Sequence, residues 1–319
     1  SGFANGAVEE KRDGFTVLRM GNRYTVYWYA YQYYKKHLQG WADLVIDEMN
    51  TMPFFARWYV KERSILFAHQ LCREIWFYQM PFPLSVIGYV AEPIYLWLLR
   101  GYEAITVSES SKRDLMRYGF KAEKISIISE GIDIQPLASL SEIEKYTEPT
   151  LLSLGALRSM KRTVHQIRAF ERAKQFIPDL KLKIAGAPAG KYGQRVLRML
   201  EKSPYKEDIE YCGRVTLEKK LELMRRCHAI LVTSVKEGWG LIVTEANSQG
   251  TPAIAYNVDG LRDSVHDGET GFLAHSNPPD ADIYADIREK AWRSSQKFTF
   301  EKSYEDFLNA LRNVHSKGR

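Results

Sequence analysis

The stretch of the chain that most constrains its fold is residues 230–274. Its sequence is ILVTSVKEGWGLIVTEANSQGTPAIAYNVDGLRDSVHDGETGFLA. This pattern predicts a strand, a loop containing Gly238 and Gly240, a short helix that begins at Leu241, and a second strand. The first N–H groups of such a helix lack intrahelical partners and carry partial positive charge. The stretch therefore predicts an anion-binding helix end of the kind that receives phosphate or carboxylate groups.

Two carboxylates flank this helix start. Glu237 precedes the helix, and Glu245 stands eight residues later, about one turn into it. The Glu245 carboxylate is placed to accept hydrogen bonds from a polyhydroxylated group. A helix end for a diphosphate beside carboxylates for a sugar or ribose indicates a nucleotide-sugar site.

The chain is long enough for two domains, with 319 residues and 45% hydrophobic residues. Strand and helix patterns alternate along it, which predicts two successive doubly wound α/β domains with parallel sheets. We place the first domain at residues 1–140, the second at 141–290 and a helical tail at 291–319, with a polar linker near 136–149. In such folds the ligand lies at the carboxyl ends of the strands.

The first domain is predicted from shorter patterns. A strand is expected at 15–19, helices at 24–39 and 51–59, and further strands at 42–47 and 63–69. The last of these strands brings His69 to its carboxyl end. A histidine there is either a satisfied core residue or a group facing the ligand, and the position favours the second interpretation.

Residues 81–99 form the most apolar run of the chain, PFPLSVIGYVAEPIYLWLL. Glu92 and three prolines interrupt it, so we predict a buried or surface-docked helix pair rather than a membrane span. Aromatic residues next to it suit an interfacial anchor, while packing in the first domain's core explains the run equally well.

The net charge bears on which partners the chain binds, and the cysteine content bears on its cellular compartment. Lys and Arg number 45 against 39 Asp and Glu, a net charge of +6 that favours anionic partners such as nucleotide phosphates or an anionic membrane surface. The sequence carries no nucleic-acid-binding signature, so we expect no nucleic-acid partner. The three cysteines have no metal-binding spacing, which is typical of reduced thiols in a cytoplasmic protein.

Several motifs together resemble the retaining glycosyltransferases of family 4, which have the GT-B fold. The segment EGWGLIVTEANSQGTPAIAY resembles the donor-site signature of that family. The same holds for three other second-domain segments: SLGALRSMK at 153–161, YCGRV at 211–215 and NVDGLRDSVHDGETGFLA at 257–274. In the first domain, ITVSESSKRDLMRYG followed by ISEGID resembles the family's last strand–helix unit. The resemblance covers residues 40–275.

The resemblance implies a role for each matching residue. Glu245 would bind the ribose hydroxyls, and the catalytic pair would be Glu237, near the reacting centre, and His69, facing the donor sugar. Lys161 and Arg158 would neutralise the diphosphate. The other implied donor-binding residues are Gly238, Trp239, Gly240, Leu241, Ile242, Arg214 and Val215. No metal and no cofactor are implied, since a UDP- or GDP-linked sugar is the substrate and fixed charge stabilises the leaving group.

The chain departs from the family pattern in three places. Ala156 stands where the family commonly has Arg, and Glu130 stands where it has the Asn of an Asn-Gly turn. The family's opening strand and Gly-rich loop are not found before residue 1, so we expect either a trimmed chain or a partner that supplies that piece. Asp280 and Asp282 spell a D-x-D metal motif, but their position after Asn-Pro-Pro favours a solvated loop.

The resemblance thus implies a metal-independent hexosyltransferase with a nucleotide-sugar donor and an acceptor that is either lipid-linked or a glycan of the cell envelope. It would be cytoplasmic, either free or peripheral at the inner membrane face. Two alternatives stay open. One is a nucleotide-sugar epimerase or a phosphorylase on the same fold, and the other is a non-catalytic nucleotide-sugar-binding scaffold completed by a partner chain.

Overall fold

A computed structural model describes residues 7–274 and 284–316 of the chain. The first ordered feature is an antiparallel hairpin of β1 (Glu9–Arg12) and β2 (Phe15–Leu18). Asp13 and Gly14 both have positive φ, 50° and 88°, as a two-residue Asp-Gly hairpin turn requires. The strand predicted at 15–19 is therefore confirmed, but it pairs with β1 and lies outside the parallel sheets.

The first parallel sheet has its strands in chain order: β3 (Leu44–Met49), β4 (Arg63–Ala68), β5 (Ala104–Thr106) and β6 (Ile125–Ile127). Its helices are α1 (Val26–Tyr33), α2 (Trp76–Gln79), α3 (Leu84–Leu99) and α4 (Glu109–Arg117). A π-helical turn, Tyr34–Leu38, continues α1, which confirms the helix predicted at 24–39. The strand predicted at 63–69 is also confirmed, and His69 directly follows it.

The helix predicted at 51–59 is wrong, because only a 3-10 turn, Ala56–Trp58, forms there. The buried Asp47 carboxylate accepts the backbone N–H groups of Phe54 at 2.7 Å and Ala56 at 2.8 Å. Phe55 is left-handed, with φ 56°. A side chain on the preceding strand thus holds the loop open by taking backbone donors that a helix would need.

The apolar run at 81–99 forms one helix, α3, and not the predicted pair. Pro93 lies inside it, so the carbonyl of Tyr89 loses its helical donor. The Arg73 guanidinium replaces that donor, with Nη1 3.0 Å from the Tyr89 oxygen. Glu92 is fully buried and accepts hydrogen bonds from the backbone of Cys72 and Arg73 and from Trp76 Nε1. The fold therefore supplies hydrogen-bond partners for the carbonyl that Pro93 leaves free and for the buried Glu92 carboxylate.

The second sheet is parallel, with the strand order β12-β11-β10-β7-β8-β9. Its strands are β7 (Thr150–Leu154), β8 (Lys181–Ala185), β9 (Ile209–Gly213), β10 (Ala229–Val232), β11 (Ala253–Ala255) and β12 (Gly271–Leu273). Its helices are α5 (Thr163–Lys174), α6 (Gly190–Lys202), α7 (Leu217–Arg226), α8 (Leu241–Ser248) and α9 (Leu261–Ser264). The order reverses between β7 and β10, and the loops that follow these two strands form the ligand crevice expected of a doubly wound sheet.

The chain ends in α10 (Tyr284–Ser295) and α11 (Phe300–Ser316). The last helix returns to the first domain: Asp306 Oδ2 accepts a hydrogen bond from Ser129 Oγ at 2.7 Å. Phe307 also packs near Phe67, with the ring centroids 6.4 Å apart. The tail therefore ties the two domains together. Among the described residues, no helix combines the length and the apolar character that crossing a membrane demands.

Candidate functional site

Helix α8 begins at Leu241, as the sequence predicts. Its N-cap, Gly240, has φ 95°, a left-handed conformation that favours glycine. A Cβ at Gly240 would also lie 2.9 Å from Leu261 Cδ2. The first-turn N–H groups of Leu241 and Ile242 have no carbonyl one turn earlier in the helix to bond to. Since Leu241 is 40% exposed, this end of the helix is open to an anion.

The structure brings Lys161 and Glu237 together. Lys161 ends the 3-10 turn Ser159–Lys161 after β7, and its Nζ lies 2.5 Å from Glu237 Oε1. Both side chains are largely buried, 26% and 14% exposed. Thr233 Oγ1 donates to the Lys161 carbonyl at 2.9 Å and fixes the turn beneath the loop. Lys161, which is predicted to bind phosphate, and Glu237, which is predicted to bind the sugar, therefore form one ion pair.

Glu245 has a partner that the sequence did not reveal. Lys220 on α7 donates to Glu245 Oε1 at 2.7 Å, and the two side chains are 23% and 17% exposed. Twenty-five residues separate the pair in sequence, and only the packing of α7 beside α8 brings them together. A ribose on Glu245 would share or replace this hydrogen bond.

The remaining residues predicted to bind the donor differ in their exposure and in their contacts. Arg158 and Arg214 are exposed, and Val215 packs against the second domain's core. The Trp239 indole contacts a cluster of first-domain residues that includes Ile105, and its Nε1–H donates to Thr244 Oγ1 at 2.9 Å. The indole therefore bridges the domains. The donor contacts assigned to these residues stay predictions.

His69 lies across the crevice from this loop, in contact with two carboxylates. Its Nδ1 is 3.3 Å from Glu130 Oε1, and its Nε2 is 2.9 Å from Glu48 Oε1. Hydrogen bonds to Glu130 and then Glu48 raise the pKa of His69 to about 9, although burial opposes them. The same contact with His69 lowers the pKa of Glu48. The ring is therefore a cation at neutral pH.

The two domains touch directly around the site. A Cβ on Gly238 would lie only 2.6 Å from the carbonyl oxygen of His69, so this glycine allows the loop to reach the first domain. Asp263 Oδ1 accepts the backbone N–H of Ser110 at 3.0 Å. Lys236 is buried and pairs with Asp114 of α4 in the first domain. The crevice is therefore closed by specific polar contacts.

The sequence alone assigned no role in the site to five of these residues: Glu48, Asp114, Glu130, Lys220 and Lys236. Two of them carried a usable signal, because Glu130 departs from the family pattern and Lys236 directly precedes Glu237. The described residues contain no cluster of three His, Cys, Asp or Glu side chains able to hold a metal ion. Asp280 and Asp282 lie outside the described residues.

Two facing α/β domains with parallel sheets define the class, the first with its strands in chain order and the second with a reversed order. The fold is GT-B, the architecture of many glycosyltransferases. Residues 140–314, more than half of the chain, match the family described as "Glycosyl transferases group 1". The chain belongs to this family.

Individual relatives are distant. Over 167 residues the chain is 26% identical to a D-inositol 3-phosphate glycosyltransferase of Mycolicibacterium gilvum, covering 50% of this chain and 37% of the relative. Over 177 residues it is 27% identical to a glycogen synthase of Mycobacterium tuberculosis, covering 55% and 42%. The chain thus spans about two fifths of the length of these curated relatives.

Solved structures share the fold at lower identity. Sucrose-phosphate synthase from Thermosynechococcus elongatus superimposes with a TM-score of 0.76 at 17% identity, covering 99% of this chain and 87% of that one. HepE of Anabaena, solved in complex with UDP and glucose, gives 0.64 at 16% identity, with 91% and 80% covered. At such identities the likeness establishes the GT-B fold alone.

Proposed function

We propose that the chain is a retaining, metal-independent glycosyltransferase of family 4 that moves a hexosyl group from a UDP- or GDP-linked donor to an acceptor. The observation that carries the proposal is the arrangement around the start of α8. Lys161 pairs with Glu237, which precedes the helix in the chain, and Glu245 lies about one turn into the helix. Lys161 would contact the diphosphate, Glu237 the transferred sugar and Glu245 the ribose.

The reaction follows from this placement. The bond between the sugar's anomeric carbon and the diphosphate oxygen breaks, and an acceptor hydroxyl oxygen attacks from the same face. The departing phosphate oxygen takes the proton of that hydroxyl. The N–H groups of Leu241 and Ile242 are oriented before the reaction begins and stabilise the growing negative charge. Lys161 joins them when the bound phosphate draws it away from Glu237, which then holds the sugar.

Donor binding is tested by calorimetric titration of UDP- and GDP-sugars. We expect Glu245→Ala to raise the Kd about ten- to a hundredfold, because hydrogen bonds to a charged group contribute about 1.5–3 kcal/mol. Glu222→Ala is the matched control: this glutamate, 41% exposed, pairs with Lys219 on the neighbouring helix α7, and its loss should leave the Kd unchanged. Equal binding by wild type and Glu245→Ala, or no binding by wild type, would contradict the proposed site.

The alternative functions predict different results in the same preparation. An epimerase would convert the free donor without any acceptor, and this can be read by NMR of the sugar. A scaffold would bind donor but release no nucleoside diphosphate with any acceptor tested. The proposal requires instead that nucleoside diphosphate appears in step with glycosylated acceptor.

The acceptor is proposed to be lipid-linked, with the chain docked on an anionic membrane through α3. The solvent face of this helix is apolar along its whole length, and its exposed side chains are Leu84, Val86, Ile87, Val90, Ile94, Trp97 and Leu98. Arg100 follows at the end of the helix, 3.8 Å from the Trp97 ring. An apolar helix face edged by an aromatic residue and a cation suits the boundary between headgroups and acyl chains.

Co-sedimentation with vesicles tests this docking. We expect the wild type to bind vesicles that contain anionic lipid, and the double substitution Ile87→Glu and Ile94→Glu to reduce the bound fraction at least tenfold, because each charge must leave water. Phe176→Glu is the control: this residue of the second domain is 80% exposed and lies far from α3 in sequence. A wild-type protein that does not bind vesicles containing anionic lipid would favour a soluble acceptor.

A further inference from the structure

The chemistry of the groups around His69 fixes its protonation state. An ionised carboxylate only accepts hydrogen bonds, so each of the two carboxylates requires an N–H on the ring nitrogen that faces it. Glu130 faces Nδ1 and Glu48 faces Nε2. A ring protonated on both nitrogens satisfies both contacts at once, in agreement with the raised pKa of His69.

The two carboxylates are not equivalent. The Glu130 side chain is 20% exposed and follows β6, whereas Glu48 is 61% exposed on the edge strand β3. A partner largely shielded from water holds its neighbour more firmly than an exposed one, which exchanges readily with water or ligand. Of the two carboxylates, the exposed Glu48 is therefore the one that a ligand can displace, and Glu130 is the one that stays with His69.

The rest of the environment holds the ring in place. Ser111 Oγ donates to the His69 carbonyl at 3.1 Å, and the Phe67 ring stacks on the imidazole with the centroids 4.4 Å apart. The same carbonyl lies against Gly238 of the loop that leads into α8. His69 therefore has a defined orientation at the point where the two domains meet.

We propose that Glu130 is a positioning residue for sugar transfer: it holds the His69 imidazolium with its Nε2–H directed at an oxygen of the bound donor or acceptor, which takes the place of Glu48. This inference rests on the proposed function and adds to it a residue that departs from the family pattern. The carboxylate at position 130 supplies a negative charge that the family's asparagine lacks. No proton is transferred, since the ring acts only as a charged hydrogen-bond donor.

The sign of the pH dependence follows from the raised pKa of His69. With a pKa raised from the ordinary 6.5 to about 9, the imidazolium persists through neutral pH and is lost as the pH rises through about 9. The charged groups that shift this pKa are Glu130 and Glu48. Activity should therefore hold up to mildly alkaline pH in the wild type and fall near pH 9.

The test compares Glu130→Gln with wild type by activity against pH and by NMR titration of isotopically labelled histidine. Glu130→Gln retains an acceptor oxygen but removes the charge, so we expect the His69 pKa to fall by at least one unit. The alkaline limb of kcat/KM should move by the same amount, giving about a twofold loss at pH 8, about a fivefold loss at pH 9 and little change at pH 6. Glu109→Gln, an exposed change on α4, is the control and should leave both curves unchanged.

A purely structural role for Glu130 gives a different pattern. It would lower activity equally at every pH and leave the His69 titration in place, and either result overturns the inference. In a His69→Ala background, Glu130→Gln should have no further effect on kcat/KM, whereas an additional loss contradicts the coupling. The NMR titration needs no donor. It therefore tests whether Glu130 keeps His69 protonated even if the chain binds no nucleotide-sugar and the proposed function fails.

Discussion

Replacing Lys161 by alanine is expected to reduce the release of nucleoside diphosphate about 10²–10³-fold, the usual cost of removing one donor that stabilises a developing anion. Lys161 is held by the turn after β7 and by Thr233, and its Nζ pairs with Glu237, which precedes α8 in the chain. Its loss also leaves the Glu237 carboxylate, 14% exposed, without a counter-ion. The measurement is the steady-state rate with saturating donor and acceptor.

Two variants control this experiment. Lys161→Arg retains the charge at a different geometry and should recover part of the activity. Lys202→Ala, an exposed change at the end of α6, should leave the rate within twofold. A Lys161→Ala enzyme that works at the wild-type rate would show that the diphosphate is stabilised elsewhere.

Replacing Lys236 by methionine is expected to destabilise the closed arrangement of the two domains by about 1.5–3 kcal/mol, the range for losing a hydrogen bond to a charged group. Asp114 keeps a second ion pair, with the exposed Arg117 at 2.8 Å, so its charge is not left wholly unpaired. The Lys236 side chain is 8% exposed and pairs with Asp114, which is 5% exposed, and with Asp259 at 3.5 Å. Because the pair joins the domains, the loss should appear as a lower urea midpoint or as an opened crevice in solution scattering.

A second substitution distinguishes a specific ion pair from general damage. In the double variant Lys236→Met and Asp114→Leu no buried charge remains at the pair, so much of the lost stability should return. Lys206→Met, a change at a side chain that is 62% exposed, should alter stability by less than about 0.5 kcal/mol. A Lys236→Met protein as stable and as closed as the wild type would contradict this role.

Local patterns in the sequence were sufficient to predict most of the second domain. The strands and helices from β7 to α8 follow hydrophobic periodicity, and the start of α8 follows from Gly240, whose φ of 95° suits glycine. The position of His69 followed in the same way from the end of β4. These features depend on residues close together in the chain.

The parts that could not be predicted depend on distant residues. Arg73 makes one continuous helix of α3 by bonding the carbonyl that Pro93 leaves free, and Asp47 prevents a helix at 51–59. His69 and Glu130 are 61 residues apart, and Lys236 and Asp114 are 122 residues apart. No local periodicity carries such information, so these pairs emerge only when the strands and domains are assembled.

A crystal structure of the chain with bound UDP would show directly whether the start of α8 binds the nucleotide. We expect diphosphate oxygens within about 3 Å of the N–H groups of Leu241 and Ile242 and of Lys161 Nζ, with the ribose hydroxyls on the Glu245 carboxylate. Lys161 should then have moved from Glu237 toward the phosphate. A nucleotide bound elsewhere, with the start of α8 vacant and Glu245 still paired only with Lys220, would contradict it.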